Sequence, residues 1–280
     1  MKIVKALKQL VQDHPLGAFF LVAFSLPWLP SFLVAGPKFF RGEDIETLTL
    51  MIGIAMFAAP ILSGILMAFI VDGKRGIGEM FSRMKKWRVG KWYLSLLIFP
   101  TFILVVSLLL SATVSSDFAP VFLIGSIMMG IAAGFLEESG WMGFAFPRMR
   151  ERHGLIRTSV YLGLIHGLWH FPLWFLWEYS DLGIFWFPYF IAFAVMLVAL
   201  RVIMVWAYSH SNSLLLAQLI HASSTGFLFV LTPQYIEPIN EVIFYSVYAV
   251  FLGVVALVAI LKMRESSRRE DGEHPHPIEF

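Results

Sequence analysis

The feature that most constrains this chain is a series of eight apolar runs, each long enough, or nearly so, to cross a lipid bilayer. A membrane span needs about 20 helical residues, because the hydrocarbon core is roughly 30 Å thick. Only 14% of the residues are charged, against about 25% in a typical soluble domain. The runs lie at 16–36, 49–71, 92–113, 119–146, 158–177, 184–207, 214–232 and 241–262. We therefore expect an all-α, polytopic membrane helix bundle of about eight transmembrane helices.

The basic residues are distributed unequally between the loops that join these runs. Of the 21 Lys and Arg residues, all except Lys38 and Arg41 fall in the two tails or in the even-numbered loops, with Arg201 counted near the sixth loop. Loops rich in Lys and Arg remain in the cytoplasm. Both termini are therefore predicted to be cytoplasmic. The chain is predicted to be a multi-pass protein of the cell membrane, and we expect this to be the cytoplasmic membrane of a bacterium.

The chain is predicted to form a single transmembrane domain over residues 1–265. The polar segment 266–280, which ends in "HPHPIEF", is predicted to be a disordered cytoplasmic tail. No cysteine is present, so a metal would need His, Asp or Glu ligands. No phosphate-binding glycine loop and no nucleic-acid signature occurs, so we expect the lipid bilayer as a partner and no nucleic acid.

A small set of ionisable residues lies inside the predicted spans. An ionisable side chain there is costly and indicates function by default. At about 1.5 Å per residue, each lies roughly 12–20 Å from the basic end of its span. All of them therefore reach a similar depth, which favours one shared site. They are Glu137 and Glu138 on span four, His166 and His170 on span five, and His221 on span seven.

Structural explanations remain open for each of these features taken singly. A lone buried histidine is more often a core residue than a ligand, and Arg201 either extends towards the headgroups or pairs with a glutamate. Gly134, Gly140 and Gly143 either let helices pack closely or shape a site. Adjacent glutamates point about 100° apart on a helix, so only one of the two can face a central site.

Hydrolysis is the chemistry that such a set suits. A carboxylate can activate water as a general base, and a histidine can stabilise the oxyanion. Two histidines four residues apart share a helix face, so they fit two metal ligands, or one working histidine and one supporting it. A glutamate with two histidines is also a catalytic zinc arrangement. Ser139 lies beside the acids without a nucleophile elbow, which argues against a serine mechanism.

Three segments together resemble the CPBP family, the CAAX-protease and bacteriocin-processing membrane endopeptidases, also called the Abi family. They are "EESGWMGFAFPRM", "HGLWHFPLW" and "RVIMVWAYSHSNSLLLAQLIHASS", and the resemblance extends over about residues 55–230. In the family motif E-E-x-x-x-R, the acids match Glu137 and Glu138, while Met142 takes the arginine position. In F-x-x-x-H, the histidine matches His170 and the aromatic position holds His166.

The third family motif, H-x-x-x-N, matches His221 and has Thr225 in place of asparagine. The resemblance implies an intramembrane endopeptidase in which Glu137 and His170 activate water. It implies that His221 and Thr225 stabilise the oxyanion, with Glu138 in the catalytic group. His166 departs from the motif, and we expect it to be a further imidazole that supports the site. If the enzyme uses zinc, the implied ligands are Glu137, His170 and His221. A metal-free mechanism is equally compatible with the residues.

Two alternatives to a peptidase remain at this stage. The first is a non-catalytic immunity or scaffold protein that binds a peptide partner through the same cavity, and the departures at Met142 and Thr225 favour it. Arg201 or Arg148 are the candidates to replace the missing arginine. The second alternative is a transporter or proton relay, which also uses Glu and His chains, but no paired half-repeats with broken helices occur.

Overall fold

The computed structural model describes residues 2–231 and 237–273. These residues form ten α-helices joined by short 3₁₀ and π segments, and no strand occurs among them, which confirms the all-α prediction. The helices are α1 Lys2–Asp13, α2 Pro15–Pro30, α3 Gly36–Phe40, α4 Glu46–Met84, α5 Ile98–Thr113, α6 Ile127–Gly140, α7 Phe146–Leu182, α8 Trp186–Ser211, α9 Leu214–Leu231 and α10 Pro238–Glu273.

The described chain contains six apolar helical stretches long enough to cross a membrane. One of them, Ile124–Ser211, is 88 residues long and contains the predicted spans five and six and most of span four. Non-helical backbone interrupts it at Gly154, with φ 72° inside α7, and at Gly183, with φ 53° after α7. Glycine adopts positive φ without the steric cost of a side chain. A polytopic helical membrane bundle is confirmed, whereas the count of eight and the side of the termini stay predictions.

Glycines let α6 approach its neighbours closely, and this approach places the glutamates. A Cβ on Gly134 would lie 2.2 Å from the backbone oxygen of Gln218 on α9. A Cβ on Gly140 would lie 2.2 Å from the backbone oxygen of Pro60 on α4. Both glycines therefore serve close packing, which is the first of the two explanations open from the sequence.

Two tryptophans join α2 to the middle of α7, directly before His170. The indole Nε1 of Trp169 donates to the backbone oxygen of Ala23 at 2.9 Å, and Trp28 Nε1 donates to the backbone oxygen of Trp169 at 3.0 Å. This reciprocal pair fixes the height of α7 relative to α2. It therefore fixes the level at which the α7 histidines meet the other helices.

The ends that carry the basic residues meet on one side of the bundle. Arg83, near the end of α4, donates to the phenol oxygen of Tyr208 at 3.1 Å and to the backbone oxygen of Gly143. Arg148 pairs with Asp72. Arg148 is therefore engaged away from the glutamates and does not replace the missing motif arginine.

Two sequence predictions need correction. Arg201 is not near a loop but fully buried in α8, so it does not belong in the charge count of the basic side. The last helix continues to Glu273, so helix replaces the predicted disorder as far as that residue. The remaining residues of the predicted tail, 274–280, lie outside the described part of the chain.

Candidate active site

A cavity of about 550 Å³ lies between the helices, and one part of its wall carries the predicted chemistry. Glu137 from α6, His170 from α7, and His221 and Thr225 from α9 all line it. The structure thus brings together four residues that lie on three helices and far apart in sequence. Most of the remaining wall is apolar, which suits a site that limits the entry of water.

Glu138 does not line the cavity but forms a fully buried ion pair with Arg201 of α8. The guanidinium donates through Nη2 to Oε1 at 3.0 Å and through Nη1 to Oε2. Both side chains have no solvent exposure. The two glutamates therefore face different directions, as the helical geometry predicts, and Glu137 is the one that faces the cavity.

Glu138 also orients His221, which lies across the α6–α9 contact. His221 Nδ1 is 2.7 Å from Glu138 Oε1, and a carboxylate only accepts hydrogen bonds, so Nδ1 is the donor. The other ring nitrogen, Nε2, is left for whatever occupies the cavity, whose wall includes His221. Such a carboxylate–histidine contact sets the orientation of a working imidazole.

Glu137 has a histidine partner of its own, but it is not His170. His166 Nε2 lies 2.9 Å from Glu137 Oε2, and Arg201 Nη2 lies 3.1 Å from His166 Nδ1. His166 is fully buried and does not line the cavity. His170 instead uses Nδ1 to donate to the backbone oxygen of His166, at 2.9 Å.

The possible metal ligands do not form the set that the resemblance implies. Within the described chain, the group whose donor atoms lie within 4.8 Å of one another is Glu137, His166 and His170. His221 is not a member of it. Both ring nitrogens of His166 already have partners, so this group offers only one imidazole lone pair. As arranged, these residues do not fit a catalytic zinc site with two histidine ligands.

Two other residues of the motif segment, Ser139 and Met142, do not take part in the chemistry. Ser139 Oγ donates to the backbone oxygen of Phe135 at 2.6 Å and lies 3.2 Å from Gln218 Nε2. The hydroxyl is thus occupied within the α6–α9 contact, in line with the argument against a serine nucleophile. Met142 is buried and apolar, and Arg201 makes the ion pair with Glu138 that Met142 cannot make.

The sequence left two explanations open for Arg201, and in the structure it pairs with a glutamate and does not extend towards the headgroups. A signal was available, because an arginine inside an apolar helix of a membrane protein indicates a buried acidic partner. The part of the cavity wall away from Glu137 was not predicted from the sequence. That part includes aromatic and acidic side chains from α7, α8 and α10, namely Trp174, Trp177, Glu178, Asp181, Tyr189, Glu241 and Tyr245.

Comparison with known proteins agrees with the predicted resemblance. Residues 119–227 match a protein family described as type II CAAX prenyl endopeptidase Rce1-like. A curated relative, CAAX prenyl protease 2 of Methanococcus maripaludis, is 30% identical over 112 residues, which are 38% of this chain and 39% of the relative. The resemblance to the CPBP, or CAAX-protease, family is thereby confirmed, and every candidate residue lies inside the matched segment. The resemblance was expected to begin at about residue 55, and residues 55–118 lie outside the family match.

Proposed function

We propose that this protein is an intramembrane endopeptidase that hydrolyses a peptide bond of a peptide or protein substrate inside the cavity. One observation carries the proposal: Glu137, His170 and His221 line the same cavity, and the buried Glu138–Arg201 ion pair next to it contacts His221 through Glu138 and His166 through Arg201. The family match covers the same residues. The basic side of the bundle faces the cytoplasm in this proposal.

Glu137 acts as the general base on a water molecule, and His170 helps to hold that water. Because His170 Nδ1 donates to a backbone oxygen, its Nε2 has a free lone pair that can accept from water. The water oxygen bonds to the substrate carbonyl carbon, and its proton passes to Glu137. Glu137 then returns the proton to the leaving amine nitrogen, so that no proton is lost or gained overall.

His221 and Thr225 stabilise the oxyanion that forms on the carbonyl oxygen. Thr225 follows His221 by four residues, so both lie on the same face of α9, and both line the cavity. His221 presents Nε2 to the oxyanion because its Nδ1 donates to Glu138, and Nε2 donates when the ring carries both protons. The Thr225 hydroxyl is the second donor, in the position where the family motif has asparagine.

Zinc-dependent hydrolysis is the alternative chemistry, with Glu137, His170 and His221 as the ligands. When bound, zinc would polarise the carbonyl and ease deprotonation of water. We favour the metal-free mechanism because His221 is not in the compact group with Glu137 and His170, and His166, which is in that group, has both ring nitrogens hydrogen-bonded. The non-catalytic immunity or scaffold alternative is less well supported, since Arg201 supplies the ion pair whose loss Met142 had suggested.

The test is cleavage of a fluorogenic peptide library by the purified protein in detergent. Glu137→Gln and His170→Gln should lower kcat by about 10²- to 10⁴-fold, the range for loss of general-base catalysis. Glu151→Gln, on an exposed acid of the same helical region, is the matched control and should retain full cleavage. Cleavage that persists in both cavity variants would refute the assignment of the site.

A chelator distinguishes the two mechanisms in the same assay. If the metal-free mechanism is correct, cleavage should continue after dialysis against EDTA and should not increase when Zn²⁺ is restored. Loss of cleavage with EDTA and its recovery with Zn²⁺ would instead establish the zinc-dependent alternative. Either result leaves the peptidase proposal in place, because both mechanisms use the same cavity wall.

A further inference from the structure

Among the residues that the structure describes, Arg201 is the side chain that hydrogen-bonds both to Glu138 and to His166, the histidine partner of Glu137. Its guanidinium donates to the Glu138 carboxylate, and its Nη2 also lies 3.1 Å from His166 Nδ1. α8 can bring Arg201 this close because Gly163 faces it on α7. A Cβ at Gly163 would lie 2.7 Å from the Cα of Val198.

The contact with Arg201 determines which nitrogen of His166 carries the proton. A guanidinium has only donors, so His166 Nδ1 must be the acceptor. A neutral imidazole then has its proton on Nε2, which lies 2.9 Å from Glu137 Oε2. The hydrogen bonds therefore run in one direction, from Arg201 to His166 and from His166 to Glu137.

The neighbouring histidine has the opposite arrangement. His170 Nδ1 lies 2.9 Å from the backbone oxygen of His166, which can only accept, so the proton of His170 is on Nδ1. His170 keeps a lone pair on Nε2, and its side chain lines the cavity. His166 and His170, four residues apart on α7, are thus protonated on different nitrogens, because Nδ1 of one accepts a hydrogen bond and Nδ1 of the other donates one.

We propose that Arg201 is a positioning residue that holds His166 with its proton on Nε2, so that His166 directs a fixed donor at Glu137 and is unavailable as a metal ligand. Arg201 thereby supports both glutamates from α8, while the family motif expects an arginine on α6. The catalytic consequence rests on the proposed function, because Glu137 is the base only in that function. The position of the proton does not depend on it.

The packing around His166 restricts the ring to this orientation. The rings of Trp141 and Trp169 lie 5.5 and 5.8 Å from the His166 ring, measured between centroids. His166 is fully buried, so water does not compete for either nitrogen. A 180° rotation of the ring would place Cδ2 against the guanidinium and Cε1 against the Glu137 oxygen, so both hydrogen bonds would be lost. Transfer of the proton to Nδ1 would place a donor against the guanidinium and leave the Glu137 oxygen without one.

The direct test is nuclear magnetic resonance of protein labelled with ¹⁵N in its histidines, in detergent micelles. The His166 and His170 signals are assigned from His166→Gln and His170→Gln variants. The proposal requires a proton on Nε2 of His166 and on Nδ1 of His170. A proton on Nδ1 of His166 in the unsubstituted protein would overturn it.

The matched variant combines Arg201→Met with Glu138→Gln, which removes both charges and keeps an amide oxygen to accept from His221. This variant should fold. The form of His166 with its proton on Nδ1 should become populated, because Arg201 no longer donates a hydrogen bond to Nδ1. Arg148→Met, which removes an arginine paired with Asp72, should leave the His166 signal unchanged. A His166 signal that is the same in the double variant and in the unsubstituted protein would refute the role of Arg201.

Cleavage provides the second readout. Loss of a supporting residue of this kind costs about 10- to 100-fold in activity. The double variant should therefore lose kcat by that factor with little change in KM, and Arg201→Lys should not restore it, because a single ammonium cannot reach both partners. If the proton positions are as proposed but no variant or parent cleaves peptides, the proposed function fails and the assignment of His166 remains.

Discussion

Buried charges are stabilised differently near the two glutamates, Glu137 and Glu138, and at the acidic part of the cavity wall. Around Glu137 and Glu138, the charged and polar groups make hydrogen bonds to one another with almost no exposure to solvent. At the other part, Glu178, Asp181 and Glu241 line the cavity without a salt bridge among the described residues. Glu178 lies roughly 12 Å along α7 from His170, near the end of the helix.

This difference follows from distance to water. A charge in a dry interior is stable only when it is paired and hydrogen-bonded, and removing one partner exposes the full cost of burying the other. Carboxylates near helix ends can keep part of their hydration, and Asp181 is exposed. We therefore expect substitutions near Glu138 to affect both folding and activity, and substitutions at the acidic part to affect neither strongly.

The largest effect should come from Arg201→Met, which leaves the Glu138 carboxylate buried without its counter-charge. Breaking a buried ion pair on one side costs about 3–5 kcal/mol. The measurement is the free energy of unfolding in mixed micelles with increasing SDS. Adding Glu138→Gln should recover most of the lost stability, and equal instability of the single and double variants would contradict the pairing argument.

Thr225→Val should lower kcat without lowering stability by much, since it replaces a hydroxyl by a methyl group of similar shape. Loss of one oxyanion donor costs about 10²- to 10³-fold in kcat. Thr225→Ser keeps the hydroxyl and is the control that should stay active. The peptide-cleavage assay decides, and normal kcat in the valine variant would remove Thr225 from the proposed mechanism.

Gly134→Ala should disturb the α6–α9 contact that holds Glu138 against His221. The added methyl group would lie 2.2 Å from the backbone oxygen of Gln218, so the helices must separate. Overpacking of this kind costs about 1–3 kcal/mol, which SDS unfolding would detect. Gly253→Ala on α10 is the matched control, because nothing lies within 4 Å of its added Cβ. A neutral Gly134→Ala would show that α6 and α9 can separate freely.

The smallest effect should come from Glu241→Gln, in the acidic part of the cavity wall. Because Glu241 has no salt-bridge partner to lose, the free energy of unfolding should change by no more than about 0.5 kcal/mol in this variant. Its kcat should also remain close to that of the unsubstituted protein. Destabilisation comparable to that of Arg201→Met would mean that the two parts of the wall do not differ as described.

The sequence by itself determined the helical membrane class and the identity of most polar residues at the site. Long apolar runs permit only structures that satisfy their own backbone hydrogen bonds, so helices followed from composition alone. Counting residues along each run also predicted that Glu137, His170 and His221 reach similar depths, and the structure places all three on one cavity wall. Depth depends only on the rise per residue, which is the same in every helix.

The tertiary structure alone decided which of these residues touch. In the tertiary structure Glu138 pairs with Arg201, and Glu137 contacts His166 instead of His170. The guanidinium of Arg201 contacts both Glu138 and His166. These contacts depend on the rotation of each helix about its axis and on how closely its neighbours approach. Rotation is set by packing between helices distant in sequence, such as α6 against α9 at Gly134, and local helical geometry does not contain that information.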